Sequence, residues 1–294
     1  RSPGLELVGV GEVGEWSEAM LASCAGNMSL ISEHFYSQEL PGLMAHIAQI
    51  PANVKRIAEA HRKYRSTIPA LQGKDVRIAL DEWNYWYGPH VYGELGTQYF
   101  LKDALGIAAG LHELIRQSDI IFMANYAQTV NVIGAIKTSK TAAVLDTTGV
   151  VLKMYRQHFG LLPVEVTGAP EPLDVAAAWT DGKKSLTIAI VNPARTEQGV
   201  DLKGEGLALP WAVRLWRGAG TDERAHMGPA DATEEVPFML RILDRLEEIL
   251  IATLIAAATV IIFVAVVHRY SLGLLADAVS LSRSLDMPWL MGFS

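Results

Sequence analysis

The fold is decided by the stretch Val76-Arg77-Ile78-Ala79-Leu80-Asp81-Glu82-Trp83-Asn84. A short apolar run that ends in two acidic residues is typical of a buried strand leading into a polar site. Similar runs at 5–10, 28–32 and 120–124 predict further strands, and apolar periodicity predicts helices at 16–23, 51–64, 96–117 and 149–159. Strands alternating with helices indicate βα units, an α/β class and a parallel sheet.

The pattern changes after residue 160, where short β-like runs are separated by turn signals. Asp181-Gly182 lies between apolar runs at 174–180 and 186–191, and Asp-Gly in such a position predicts a β-hairpin. Residues 161–238 are therefore expected to form a small antiparallel β-sandwich.

A third region begins at Met239. Residues 249–267 form a run of 19 without a charge, about the length that crosses a bilayer as a helix. A buried core helix is the alternative. The predicted domains are 1–160, 161–238 and 239–294.

Composition excludes several classes of protein. The net charge of −7 argues against a general nucleic-acid binder. The single cysteine, Cys24, cannot form an intramolecular disulfide. The sequence contains no metal-binding motif and no phosphate-cradling glycine loop, so we expect no metal and no cofactor.

Glu82 is the candidate catalytic residue, because catalytic groups of parallel βα proteins lie where strands end. The aromatic run that follows it, 83–87, suits cleavage of a glycosidic bond, in which a carboxylate attacks the anomeric carbon. A structural acid paired with a neighbouring cation is the alternative.

Three further polar positions follow predicted strands. His34 and Tyr36 come after the strand at 28–32, and Gln128 comes after the strand at 120–124, with Asn131 close by. A histidine there can hydrogen-bond a catalytic carboxylate, and amides can bind sugar hydroxyls. A structural histidine and loop-capping amides remain open alternatives.

Together these segments resemble the family 51 α-L-arabinofuranosidases. The similar segments are 31–36 (ISEHFY), 81–84 (DEWN), 93–96 (GELG), 123–133 (MANYAQTVNVI) and 149–155 (GVVLKMY). The resemblance covers about residues 1–238. It implies the carboxyl-terminal half of a (β/α)8 barrel followed by a β-sandwich of jelly-roll type.

The resemblance also implies the retaining hydrolysis of terminal arabinofuranosyl groups from oligo- or polysaccharides. Glu82 corresponds to the nucleophile of the family, and His34, Tyr36 and Gln128 correspond to residues that line the sugar site. The family's acid/base is a Glu that follows an Asn on an earlier strand, and no Asn-Glu pair occurs in this sequence. We therefore expect a fragment with little or no activity.

The tail from Met239 is similar to the start of the small membrane subunit of TRAP-type dicarboxylate transporters, through residues 243–248 (LDRLEE). Two alternative functions remain open: a transporter subunit with a passenger hydrolase fragment, or a sugar-binding module without catalysis.

No long apolar run follows Arg1, so we expect a cytoplasmic hydrolase region, with membrane association through 249–267. The sequence is also compatible with a homo-oligomer.

Overall fold

A computed structural model describes residues 4–88, 96–194, 196–200, 203, 215–218, 222–225 and 232–235. The described residues fall almost entirely in one compact unit, formed by 1–205 and 216–233. The strands are β1 Val8–Gly9, β2 Leu30–Ser37, β3 Arg77–Tyr85, β4 Ile121–Tyr126, β5 Ile136–Thr138, β6 Ala143–Leu145, β7 Leu162–Val164, β8 Asp174–Trp179, β9 Leu186–Val191, β10 Leu215–Gly218 and β11 Ala232–Glu235. The helices are α1 Glu15–Cys24, α2 Leu43–Thr67, α3 Leu101–Arg116 and α4 Thr147–His158.

The main sheet has the order β1-β2-β3-β4, and each strand is parallel to its neighbour. One helix connects each pair of consecutive strands, as a parallel connection requires. The prediction of an α/β chain with a parallel sheet is confirmed. Strand β3 extends five residues beyond its predicted end at Leu80, because its pairing with β2 continues to Tyr85.

The core lies between the sheet and the helices α2 and α3. Ile50 and Val54 on α2, Ile78 and Leu80 on β3, and Ile107 on α3 are fully buried. Complete burial of such a side chain contributes about 1.5–3 kcal/mol.

Helix α2 begins at Leu43 rather than at the predicted Pro51. Proline lacks a backbone N–H and is favoured in a first turn, which is why the sequence places the start there. The preceding residues carry Ile47 and Ile50, both buried, at helical spacing with Val54. Their burial outweighs the one lost hydrogen bond.

The remaining strands form small sheets: β7-β8-β9 antiparallel, β5-β6 antiparallel, and β10-β11. The hairpin predicted around Asp181-Gly182 is confirmed, since β8 pairs with β9 along its whole length. Gly182 has a φ of 73°, a conformation that favours glycine.

None of the helices among the described residues is both long and apolar enough to cross a bilayer. The predicted span 249–267 lies outside the described residues.

A partly buried polar cluster joins β8 to the helices. Asp174 on β8 accepts a hydrogen bond from His112 Nδ1 at 2.7 Å and also pairs with Arg116. His112 Nε2 contacts the Tyr155 hydroxyl on α4. Burial raises the pKa of Asp174, but the hydrogen bonds from His112 and Arg116 outweigh it and hold that pKa below its ordinary value.

We predict that Asp174→Asn destabilises the protein by about 2 kcal/mol at pH 7, because His112 and Arg116 lose a charged partner. A carboxyl with a lowered pKa stabilises the fold above its unfolded pKa and loses that contribution as pH falls through its folded pKa. The difference between parent and variant should therefore shrink below about pH 4. Urea unfolding at several pH values measures it.

Asp119→Asn is the control, because Asp119 pairs with Arg62 on the surface, where ion pairs contribute about 0–1 kcal/mol. Equal losses in the two variants would contradict a special role for Asp174.

Candidate active site

The candidate site lies where β2 and β3 end side by side. The register pairs His34 with Glu82 and Tyr36 with Asn84. Glu82 and His34 are exposed, while Tyr36 is half-buried. Adjacent parallel strands end at the same edge of a sheet, so residues 46–48 positions apart in the sequence meet there.

Tyr36 and Glu82 are in direct contact. The Tyr36 hydroxyl donates a hydrogen bond to Glu82 Oε2 at 2.7 Å. Burial, this hydrogen bond and the negative charges of Glu82 and Asp81 together raise the pKa of Tyr36 well above its ordinary value. Tyr36 therefore stays protonated and remains a donor to a carboxylate at any physiological pH.

Two neighbouring contacts define the surroundings of Tyr36. Trp86 packs edge-on against the Tyr36 ring, with centroids 5.1 Å apart and planes at 73°. The Trp86 amide donates a hydrogen bond to the Ser37 carbonyl, and this contact continues the pairing of β2 with β3 past Tyr85. Trp86 is 41% exposed and offers an aromatic surface beside Tyr36.

Gln128 lies in the segment after β4. It is exposed, and its amide nitrogen donates to the Val130 carbonyl at 3.0 Å. The segment starts beside β3, since the Ala127 amide donates to the Trp83 carbonyl. Gln128 thus follows a neighbouring strand end but bonds to its own loop rather than to Glu82.

Asn84, at the end of the DEWN run, holds this segment in place. It is fully buried, and its amide nitrogen lies 2.6 Å from the Ala127 carbonyl, 2.8 Å from the Ile133 carbonyl and 2.8 Å from the Tyr99 hydroxyl. The sequence assigns no such role to Asn84; its only signal is its place in the motif.

The same segment contains strained backbone. Asn131 and Val132 have φ angles of 55° and 43°, and Val132 is β-branched. Such residues cost about 1–3 kcal/mol each and persist only where surrounding contacts fix them. Lys137 supplies one of those contacts by donating to the Val132 carbonyl at 2.9 Å.

The comparisons with known proteins identify a glycosidase family. The model for the α-L-arabinofuranosidase C-terminal domain matches residues 81–259, more than half of the chain. This chain belongs to that family.

Solved structures agree. The α-L-arabinofuranosidase of Thermotoga maritima in complex with arabinose has a TM-score of 0.67 and 26% identity, over 80% of this chain and 54% of that one. The GH51 enzyme of Thermotoga petrophila has a TM-score of 0.65, with the same identity and coverage. The family 51 resemblance is therefore confirmed.

Curated sequences add two further matches. The intracellular exo-α-(1→5)-L-arabinofuranosidase 1 of Bacillus subtilis is 23% identical over 239 residues, 69% of this chain and 47% of that protein. The small permease protein DctQ of a C4-dicarboxylate TRAP transporter from Rhodobacter capsulatus is 63% identical over 49 residues, 17% of this chain and 22% of that protein. The chain thus spans about half the length of the arabinofuranosidases it matches here.

We predict that Asn84→Ala destabilises the protein by about 2–4 kcal/mol, because it leaves buried carbonyls without a donor. Amide exchange in the segment from Ala127 to Ile133 should accelerate, which hydrogen-exchange mass spectrometry measures. Asn125→Ala, at an exposed position at the end of β4, is the control and should change neither quantity. Unchanged exchange in the Asn84 variant would contradict the anchoring role.

Proposed function

We propose that the protein is the carboxyl-terminal part of a retaining α-L-arabinofuranosidase in which Glu82 is the nucleophile. The observation that best supports this proposal is the hydrogen bond from Tyr36 to Glu82, where the parallel strands β2 and β3 end side by side. A nucleophilic carboxylate must be held in one orientation and must stay ionised, and a neutral hydroxyl donor provides both.

The proposed architecture is the carboxyl-terminal half of a (β/α)8 barrel at 1–160, a jelly-roll β-sandwich at 161–238 and a membrane-associated tail at 239–294. Four parallel strands with connecting helices support the first part, and the antiparallel sheet β7-β8-β9 supports the second. In such barrels the site lies at the carboxyl ends of the strands, where Glu82 lies.

The proposed reaction has two steps. Glu82 attacks the anomeric carbon of an arabinofuranosyl group, a glycosyl–enzyme ester forms, and the aglycone oxygen leaves with the bonding electrons. Water then attacks the same carbon and releases Glu82. His34 and Gln128 are proposed to contact the sugar, and Trp86 adds an exposed aromatic surface beside Tyr36.

The retaining mechanism needs a second carboxyl about 5–5.5 Å from the first, which protonates the leaving group and later deprotonates the water. The family's Asn-Glu pair is absent from this sequence. We therefore propose that the chain as given performs little turnover, because it supplies the nucleophile without the acid/base.

The substrate class is an arabinofuranosyl-containing saccharide, as the arabinose in the Thermotoga maritima complex suggests. A cytoplasmic hydrolase region agrees with the intracellular Bacillus subtilis relative. The DctQ match favours a second role for the chain, membrane attachment of the tail through 249–267.

An activated substrate tests the role of Glu82 without the acid/base. A 2,4-dinitrophenyl α-L-arabinofuranoside has a leaving group that needs no protonation. The 294-residue chain should therefore release one equivalent of 2,4-dinitrophenolate and gain one arabinosyl group. Glu82→Gln should abolish both. Azide, which attacks without a general base, should restore turnover in the parent chain. Stopped-flow absorbance and peptide mass spectrometry measure these outcomes.

Glu59→Gln, an exposed glutamate on α2, is the control and should label normally. Labelling of the Glu82→Gln variant would contradict the assignment of the nucleophile. Steady turnover of the 4-nitrophenyl substrate by the parent chain, lost in Glu82→Ala, would contradict the predicted lack of turnover. A version extended upstream should turn that substrate over.

Tyr36→Phe tests the donor to Glu82. Removing a hydrogen bond to a charged group costs about 1.5–3 kcal/mol, so we predict labelling about 10–100-fold slower. The fold should stay intact by circular dichroism, since Phe keeps the contact with Trp86. Labelling at the parent rate would show that the hydroxyl contributes nothing to Glu82.

A further inference from the structure

Strand β3 carries one residue more than β2 at the candidate site. Glu33 pairs with Leu80, but the next residue, His34, pairs with Glu82. Asp81 therefore has no partner in β2, which makes it the extra residue of a β-bulge. Bulges are known to re-aim side chains beside active sites.

The two faces of the sheet show what the bulge does. Glu33 faces the helices, because its carboxylate accepts hydrogen bonds from Ser17 on α1 at 2.7 Å and from His61 on α2 at 2.7 Å. Side chains alternate along a strand, so Ser32 and His34 face the other way. We call this opposite face, which points away from the helices, the inner face of the sheet.

Two consecutive residues of β3 lie on the inner face. The Ser32 hydroxyl contacts both carboxylate oxygens of Asp81 at 2.9 Å, and the Tyr36 hydroxyl contacts Glu82. In a regular strand, Asp81 and Glu82 would point to opposite faces, and Glu82 would point at the helices.

We propose that the hydrogen bond from Ser32 to Asp81 is a positioning device that fixes the bulge and thereby presents the Glu82 carboxylate to Tyr36. The inference rests on the proposed role of Glu82. Asp81 touches no reacting atom in this proposal; it is a positioning residue that acts through the backbone.

The energetics of the Ser32–Asp81 hydrogen bond favour a positioning role over an incidental contact. Ser32 is 8% exposed, so its hydroxyl needs a partner inside the protein. A hydrogen bond to a charged carboxylate is about twice as strong as a neutral one. In the regular register, by contrast, the Glu82 charge would enter the helix side of the sheet, where Leu80 is fully buried, and burying a charge there is costly without a partner.

The test compares four variants of the 294-residue chain by their rate of labelling with the 2,4-dinitrophenyl arabinofuranoside. Ser32→Ala and Asp81→Ala should each label about 10-fold more slowly, a change of about 1.4 kcal/mol in the barrier. Asp81→Asn keeps an oxygen that accepts from Ser32, so its rate should stay within about 3-fold of the parent. The double variant Ser32→Ala/Asp81→Ala should be no slower than Asp81→Ala.

Ser37→Ala is the matched control. Ser37 is a buried serine on the same strand, but it faces the helices, where its hydroxyl accepts from Asn53. It should label at the parent rate. An equal loss in Ser37→Ala, or an Asp81→Asn rate as slow as that of Asp81→Ala, would overturn the proposal.

Crystal structures of parent and Ser32→Ala give a readout that needs no activity. Loss of the Tyr36–Glu82 hydrogen bond in the variant supports the positioning role, and an unchanged bond overturns it. If the parent chain does not label at all, the nucleophile proposal fails, while the structural comparison still decides the role of Ser32 and Asp81.

Discussion

The parallel pairing of β2 with β3 is the constraint on which the candidate site depends. It brings Tyr36 and Glu82, 46 positions apart in the sequence, within 2.7 Å of each other. Neither residue would find the other from local structure alone. The pairing is in turn fixed by burial on the helix side, because a slip of β3 by one residue would exchange its two faces and move Ile78 and Leu80 out of the core.

Buried polar groups add specificity to this packing. His46 on α2 pairs with Asp103 on α3 at 2.8 Å, and both are fully buried. Asp103 also accepts from the Tyr87 hydroxyl and from the Phe100 amide, so it holds the start of α3 against the chain that follows β3. Such a pair is costly to break because each member would be left buried without a partner.

The sequence predicts the positions of the parallel strands and of the helices well because apolar periodicity reports burial directly. It predicts ends poorly where tertiary contacts decide them. The helix expected from Gly96 begins at Leu101, whose amide bonds to the Ala225 carbonyl. Contacts of that kind join distant parts of the chain and leave no local pattern.

The same limit applies to the site. A strand followed by Asp81-Glu82 indicates an acidic strand end, but period-2 alternation places only one of the two carboxylates on the inner face. That both lie there depends on a register shift against β2, and the sequence of β3 alone contains no signal for it. Asn84 is similar: two of the three partners of its amide nitrogen are the backbone carbonyls of Ala127 and Ile133, which are present whatever the residue type.

The exposure of Glu82 limits what these contacts can achieve. An electrostatic interaction at a given distance is several-fold weaker in water than at a protein surface, and weaker again than in an enclosed site. Solvent competes with the Tyr36 hydroxyl for the exposed Glu82 carboxylate. A second wall that covers Glu82 would therefore supply more than the second carboxyl that the proposed mechanism requires, because by excluding water it would strengthen the contact that orients Glu82.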